Sequence, residues 1–332
     1  RDRMGTVLGV PGLFMKAHAA DAGVLYIIDS IGGTPESVTE DCTDSAGGWS
    51  YDAGTATLTL DGFQGEYIEA NGDINIVLKG KNKITISAES TEGIKSTGKV
   101  TIDDTISPVQ DCLDIYCNDG TESVSMIYTG GFGADYATYI VGGTVNLVEE
   151  NTRRRYVTGI SRWAYVENDA SLNINLSADG GRNGAAALLN LNTSGDTSFR
   201  VNSLSSSSYG VYSLDKKGSG DTALTAEGKA KNIGNKFTVG STGNTGKITI
   251  KGYLTDFTPY RKKNRIVGVD NFLWSYFTEN PQTGGLCRCV CDSLGVPMKD
   301  FVIESVDELP LTVTDSELFD ICLLYTSPSP RD

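Results

Sequence analysis

The sequence predicts an all-β protein, a right-handed parallel β-helix (solenoid) of about eight coils with terminal caps. A strand motif returns about every 24 residues, each copy alternates apolar and polar residues, and a turn sequence precedes most copies. The copies begin at positions 74, 100, 124, 145, 172, 199, 224 and 248. A fixed period in this range is typical of stacked repeats, in which one unit cannot bury its apolar face alone.

The alternation within each motif indicates a strand. Ile74-Asn75-Ile76 is an example, and its period of two suits a strand with one buried face and conflicts with the stripe of a helix. A looser apolar series from Ile68 to Phe237 precedes the turns, so each period is expected to hold two strands. The turns contain Gly, Asn and Asp, which tolerate positive φ and allow sharp bends.

Repeated short strands also fit an antiparallel sandwich or barrel. A sandwich tolerates irregular spacing, whereas a coil must return above itself at every turn, so nearly constant spacing favours the solenoid. One coil that turns about five apolar side chains inward does not offset the entropy of ordering its residues. Neighbouring coils must therefore stack.

The sequence up to residue 252 divides into three predicted segments. Residues 1–22 are expected to be a leader or signal-peptide remnant, because a short apolar stretch is followed by Ala17-His18-Ala19. Residues 23–62 are predicted to form an N-terminal cap and the first strands. Residues 63–252 are predicted to form the β-helix itself.

The composition changes after the repeat. Residues 253–280 include an apolar cluster at 272–277 and are predicted to cover the last coil, since an open end exposes backbone groups. Residues 281–321 are predicted to be a loosely attached tail. Residues 322–332, CLLYTSPSPRD, closely resemble translated sequencing adapter, which indicates an artefact of a metagenomic assembly.

Charge and composition exclude several classes of protein. The net charge of −14 argues against nucleic acid as a partner, because phosphates require a basic surface. No apolar run approaches the ~20 residues that cross a bilayer, so no membrane insertion is expected. Residues 93–99 have the glycine and lysine spacing of a phosphate loop, but Val100 replaces the required Ser or Thr, so no nucleotide is expected.

Three segments near the start carry a family resemblance. They are residues 48–62, GWSYDAGTATLTLDG, residues 68–84, IEANGDINIVLKGKNKI, and residues 93–102, GIKSTGKVTI. Together they resemble the opening of the secreted carbohydrate-binding β-helix proteins of clostridia and gut Firmicutes. The resemblance is good over residues 45–105, thinner to about 252 and absent beyond. It implies a pectate-lyase-like β-helix that binds plant-type polysaccharides without catalysis, with calcium in some members.

Aromatic side chains are the candidate platform for sugar rings, because their faces stack on the apolar side of a pyranose. The candidates for carbohydrate binding are Trp163, Tyr165, Trp49, Tyr51 and Tyr116. Further candidates are Tyr128, Tyr136 and Tyr139. The alternative is that such a ring packs at the end of the solenoid or beneath a loop, and for Trp49, at the first coil, this alternative is favoured.

Carboxylates cluster between residues 103 and 122. Calcium binds six to eight oxygens from such groups, and the leading ligands are Asp103, Asp104, Asp111 and Asp114. Like-charge crowding without a cation would be unfavourable. The alternative is that these residues are solvated loop aspartates of an acidic protein.

Catalytic signals are weak. His18 is the sole histidine and lies in the leader, which removes histidine-dependent chemistry from the repeat. A calcium-dependent polysaccharide lyase would need only a basic residue near the metal, and Lys95, Lys99 and Arg162 are available.

The leading hypothesis is therefore a monomeric, non-catalytic polysaccharide-binding protein outside the cell or on the bacterial cell surface. A calcium-dependent lyase is the first alternative. A structural stalk or adhesin that binds host protein, with Asn and Thr ladders serving rigidity alone, is the second.

Overall fold

The computed structural model describes residues 24–88, 90–104, 111–120, 123–152, 156–178, 182–184, 188–205, 207–239, 248–251, 264–269, 272–277 and 301–303. The predicted leader at 1–22 and the adapter-like residues 322–332 lie outside these ranges. Within them the chain is nearly all β, with one short 3₁₀ turn at Ala134–Tyr136 and no α-helix. Nothing in this described part is a helix with the length and apolarity to cross a membrane.

The strands are short and follow one another closely along the chain. Their bounds are β1 Leu25–Ile28, β2 Glu36–Val38, β3 Cys42–Asp44, β4 Trp49–Asp52, β5 Thr57–Asp61, β6 Gln64–Gly65, β7 Tyr67–Ala70, β8 Ile74–Lys79, β9 Lys81–Ile86, β10 Glu92–Ser96, β11 Val100–Asp104, β12 Cys112–Cys117, β13 Val124–Thr129, β14 Thr138–Ile140, β15 Thr144–Thr152, β16 Tyr156–Ile160, β17 Trp163–Asn168, β18 Ser171–Ala178, β19 Arg182–Gly184, β20 Leu188–Thr193, β21 Thr197–Ser203, β22 Tyr209–Lys216, β23 Thr222–Gly228, β24 Lys231–Val239, β25 Ile248–Lys251, β26 Asn264–Val269, β27 Phe272–Phe277 and β28 Phe301–Ile303.

The central strands pair in parallel and form three ladders. Ladder one contains β7, β10, β13, β16, β19 and the first half of β22. Ladder two contains β5, β8, β11, β14, β17, β20 and the second half of β22. Ladder three contains β6, β9, β12, β15, β18, β21, β23 and β25. The strand β24 pairs along β22 and so continues both of the first two ladders.

The earlier periods of the sequence contribute one strand to each ladder, so they hold three strands and not the expected two. β7, β8 and β9 form one such set, and β10, β11 and β12 form the next. In the last two periods a single strand, β22 or β24, serves both ladder one and ladder two, so these periods hold the expected two strands. Each strand therefore pairs with the strand one period further along the chain. This parallel pairing is compatible with the predicted β-helix.

The core consists of aliphatic columns that run across the ladders. In ladder two, the inward column is formed by residues that are each at most 1% exposed: Leu58, Ile76, Ile102, Ile140, Val166 and Leu191. In ladder three, the equivalent column is Ile84, Ile115, Leu147, Ile174, Phe199 and Leu224. Register alignment places these side chains against one another at the strand spacing of about 4.8 Å, so each covers the apolar surface of the next.

Antiparallel strands cover the first parallel strands of ladders one and two. One rung here means one strand of a ladder. β1 pairs antiparallel with β7 at the start of ladder one, and β4 pairs antiparallel with β5 at the start of ladder two. These pairings occupy the free backbone groups of the first strands, which would otherwise form an open sheet edge. Towards the carboxyl end, β28 pairs antiparallel with β25, and β26 and β27 form an antiparallel pair.

Candidate functional site

Two tyrosines stack on the outer side of ladder two. β14 and β17 pair in register, so Tyr139 lies opposite Tyr165. Both rings are partly exposed, and their centroids are 4.7 Å apart with an angle of 7° between the planes. The alternation of the strand explains this position, because Ile140 and Val166 point into the core and the preceding residues must point outward.

The two ends of this stack differ. At the Tyr139 end, the Nζ atom of Lys99 lies 5.9 Å from the ring centroid. At the Tyr165 end, the outward column continues with Asn190 and then Asp215. These side chains are shorter than tyrosine, so the aromatic column ends at Tyr165.

Trp163 extends the aromatic surface. It lies two residues before Tyr165 on the same side of β17, is partly exposed and pairs with Leu188 of the next rung. Trp163, Tyr165 and Tyr139 are named here the aromatic face. The sequence predicted Trp163 and Tyr165 as binding residues, and the structure brings them together with Tyr139.

A pocket of about 400 Å³ adjoins the Tyr139 end of the aromatic face. Its lining residues are Asp73, Gly98, Lys99, Ala134, Asp135, Tyr136 and Tyr139. The 3₁₀ turn forms one wall, and the hydroxyl of Tyr139 donates to the carbonyl oxygen of Ala134 at 3.4 Å. The pocket thus combines two aromatic rings with one ammonium group and two carboxylates.

The phenol groups of the stack stay protonated under ordinary conditions. Burial raises the pKa of Tyr139, and the neighbouring Tyr165 and Glu167 raise it further. Burial and Glu167 likewise raise the pKa of Tyr165. Both hydroxyls are therefore neutral groups that can donate or accept a hydrogen bond.

Trp49 and Tyr51 lie in the hydrophobic core. Trp49 is 3% exposed, and its indole Nε1 donates to Asp29 Oδ2 at 3.2 Å. Tyr51 is 7% exposed, and burial raises the pKa of its phenol. Little of either ring is therefore exposed for a sugar to stack on. The packed position that the sequence favoured for Trp49 is the position that it occupies.

Tyr116 lies on a different surface, the outer side of ladder three. It is 37% exposed, and the Nζ atom of Lys83 lies 4.7 Å from its ring centroid. Asp114, two residues earlier on the same side of β12, accepts a hydrogen bond of 2.6 Å from Asn146 Nδ2. The structure therefore separates Tyr116 from the aromatic face.

Three of the predicted calcium ligands lie near the end of β11. Asp103 and Asp104 both approach Gly142, and Asp111 Oδ1 accepts a hydrogen bond of 2.7 Å from the Gly80 amide. Burial raises the pKa of Asp104, and the charges of Asp169, Asp103 and Asp111 raise it further. Asp114 belongs instead to the ladder-three surface. Among the described residues, no three Asp, Glu, Cys or His side chains converge on a metal-binding geometry.

Two of the three basic candidates are engaged elsewhere. Lys95 forms an ion pair of 2.8 Å with Glu69. Arg162 donates from Nε to the Thr129 carbonyl oxygen at 3.2 Å, and its guanidinium lies 3.9 Å from the ring centroid of Phe132. Lys99 is the candidate that lines the pocket beside the aromatic face.

The sequence did not predict the acidic lining of this pocket or the position of Asn190 next to Tyr165. Tyr139 and Tyr165 are 26 residues apart, which is one period, so their stacking could have been found from the spacing. Asp73 and Asp135 come from two different periods, and only the fold brings them to one pocket.

Comparison of the chain with protein-family models, curated proteins and solved structures gives no significant match.

Proposed function

We propose that the chain is a non-catalytic polysaccharide-binding protein, and that its three ladders are the faces of a right-handed parallel β-helix. The observation that carries this proposal is the aromatic face, in which Tyr139 and Tyr165 stack in register beside Trp163. Exposed rings on a rigid sheet lose little conformational entropy on binding, which favours a stacking platform. The family resemblance of residues 45–105 supports the same function.

The far face of Tyr165 is the proposed position of one pyranose ring. The apolar side of the sugar stacks on the phenol, while Asn190 and Asp215 lie beneath to bind its hydroxyl groups. The Asp215 side chain is 27% exposed, so its carboxylate could accept a hydrogen bond from a sugar hydroxyl. The pocket at Lys99 would hold a second part of the same chain.

This geometry fits a polymer because the rungs repeat. Successive strands of a ladder are about 4.8 Å apart, so the binding groups follow a straight line across the strands. A polymer binds several such positions at once and gains affinity from each. The protein would act outside the cell or at the bacterial surface, where such polymers occur.

Calcium is the proposed assisting ion, bound near Asp103, Asp104 and Asp111. Burial raises the pKa of Asp104, and the negative charges of Asp169, Asp103 and Asp111 raise it further. A cation would relieve this crowding of charge, and carboxylate oxygens are the ligands that calcium prefers. Its contribution is tested by chelation in the experiment below.

Affinity electrophoresis in gels containing pectin, a soluble cellulose derivative or xylan tests the function. We expect at least one polymer to retard the wild-type protein. The double variant Tyr139→Ala/Tyr165→Ala should bind about tenfold or more weakly, because loss of two central rings typically costs more than ~1 kcal/mol each. Repeating the gels with a chelator shows whether calcium takes part.

Phe132→Ala is the matched control, since Phe132 is an aromatic residue that is 76% exposed and lies outside the aromatic face. It should migrate as the wild type does. Lack of retardation by all three polymers would end the proposal. Equal retardation of the wild type and the double variant would remove the aromatic face from it.

A lyase is the second candidate function, and the position of Lys99 favours it. Lys99 lines the pocket together with Tyr136 and Tyr139, so an amine and two phenol groups are available there as the base and the acid that β-elimination needs. A lyase would release unsaturated, ultraviolet-absorbing products from polygalacturonate in the presence of calcium. Prolonged incubation without such a product would eliminate this candidate.

A further inference from the structure

A polar row crosses four rungs on the outer side of ladder three. It consists of Asp114, Asn146, Asn173 and Ser198, which are register partners on β12, β15, β18 and β21. Asn146 Nδ2 donates to Asp114 Oδ1 at 2.6 Å, and Asn173 Nδ2 donates to Asn146 Oδ1 at 2.9 Å. Ser198 Oγ donates to Asn173 Oδ1 at 2.7 Å. The row thus has one continuous hydrogen-bond direction.

The row retains unused hydrogen-bonding capacity. Each carboxamide has two N–H donors and two acceptor positions. Within the described part of the chain, hydrogen bonds use only one donor and one acceptor of Asn146 and of Asn173. Each asparagine therefore offers a further donor and acceptor at every strand spacing of about 4.8 Å. Hydrogen bonding along the row fixes the orientation of the amides, which lowers the entropic cost of binding a ligand.

A second column lies beside the row and completes a groove of about 460 Å³. Its register partners are Tyr116, Val148, Asn175, Arg200 and Thr225. The Oδ1 atom of Asn175 is buried and has no hydrogen-bond partner within the described residues. The protein shields this oxygen from solvent, so Asn175 contributes to the wall of the groove.

The charges of the groove point to a neutral ligand. Arg200 is paired with Glu227 at 2.9 Å, and Lys83, which lies over Tyr116, is the oppositely charged register partner of Asp114. Apart from Asp114 and Arg200, the side chains that line the groove carry only amide, hydroxyl and apolar groups. The net charge of −14 also repels polyanions at long range.

We infer that this groove is a second binding surface, which takes a neutral polyhydroxylated chain such as a stretch of glucan or xylan. The inference rests on the proposed polysaccharide-binding function but not on the aromatic face. Sugar hydroxyls would occupy the unused positions of the asparagines, and one ring would pack at the edge of Tyr116. With a binding surface on each of two ladders, one molecule could hold two chain segments, and their binding would reinforce each other on a polymer.

Calorimetric titration with cellohexaose and xylohexaose tests the second surface. We expect two sites on the wild-type protein for at least one of these probes. Asn146→Ala/Asn173→Ala should leave only the aromatic site, and Tyr139→Ala/Tyr165→Ala should leave only the groove. Circular dichroism and thermal unfolding check that each variant folds. Tyr116→Ala/Asn175→Ala leaves the row intact and serves as the second groove variant if the row variant does not fold.

A folded groove variant that binds with wild-type stoichiometry and affinity would overturn the inference and leave the row as an internal ladder that stiffens the sheet. Absence of binding of either probe to the wild-type protein would overturn it as well. Failure of the proposed function is a separate result, namely absence of retardation in all three polymer gels.

Discussion

Two similar tripeptides in this chain place their aromatic residues on opposite sides of a strand. Trp49-Ser50-Tyr51 points its rings into the core, whereas Trp163-Ala164-Tyr165 points them outward. The residue between the two aromatic residues indicates the side on which the rings lie. Ala164 is apolar and buried, so its neighbours point outward, whereas Ser50 is polar and its neighbours point into the core. The sequence therefore contained the information to separate the two cases, but only if the alternate residues were compared and not the aromatic ones alone.

The burial of the charged Lys216 side chain lowers the free energy of unfolding. It lies at the end of β22, is 1% exposed and donates from Nζ to the Gly218 carbonyl oxygen. Burial lowers the pKa of its ammonium group to about 8, although Asp221 and Asp196 act in the opposite direction. Removing a charge from water is unfavourable unless its partners replace the lost hydration.

This burial predicts a specific pH dependence of stability. Between pH 8 and 10.5 the unfolded lysine binds more protons than the folded one, so the free energy of unfolding rises with pH in that window. The rise is up to roughly 3 kcal/mol from this residue. Lys216→Met should flatten the rise and stabilise the protein at pH 7 by about 1–2 kcal/mol after loss of one hydrogen bond. Urea unfolding at pH 7 and pH 10 measures both effects.

Lys217→Met is the control for that experiment. Lys217 has a side chain that is 59% exposed and is paired with Asp215 at 2.7 Å, so its removal should change the pH dependence little. Equal pH dependence of the two variants would contradict the account of Lys216.

The strands within one period have nearly the same pattern of apolar and polar residues. The sequence alone therefore could not assign each strand to its ladder. The motifs at Ile74 and Val100 are true register partners on ladder two. The motif at Val124 belongs to ladder one, and those from Val145 onward belong to ladder three. All three ladders alternate apolar and polar residues, so spacing alone could give the repeat and the strands but not the ladder to which each strand belongs.

Glycines at the corner between ladders two and three allow the turns to stack closely. A Cβ atom at Gly220 would overlap the carbonyl oxygen of Gly195, and one at Gly195 would overlap that of Ala170. Backbone therefore packs on backbone from one rung to the next. No flexible side chain can move aside to make room there.

Gly220→Ala should consequently destabilise the protein by roughly 1–3 kcal/mol or more, because the added methyl group forces the corners apart. Gly54→Ala is the matched control, since its Cβ would meet only the Asp52 side chain, at 3.3 Å. Urea unfolding midpoints provide the measurement. A Gly220→Ala protein as stable as the control would show that the corners are not closely stacked.

At the scale of the whole molecule, the repeat explains both stability and the form of the candidate surfaces. The aliphatic columns of the ladders join most of the buried apolar residues into one continuous core. The same register that aligns the core aligns the outward residues, which produces the tyrosine stack on ladder two and the asparagine row on ladder three. The period of the sequence predicted the parallel stacking. The tyrosine stack and the asparagine row can be recognised only when residues one period apart are compared as neighbours.

A crystal structure of the protein with a bound oligosaccharide, chosen from the polymer that retards it most, tests the central claim most directly. The account predicts parallel neighbouring strands through residues 63–252 and a pyranose ring stacked against Tyr165, with Asn190 and Asp215 within hydrogen-bonding distance of its hydroxyls. Antiparallel neighbours in that region, or a sugar bound elsewhere while Tyr139 and Tyr165 remain bare, would contradict it.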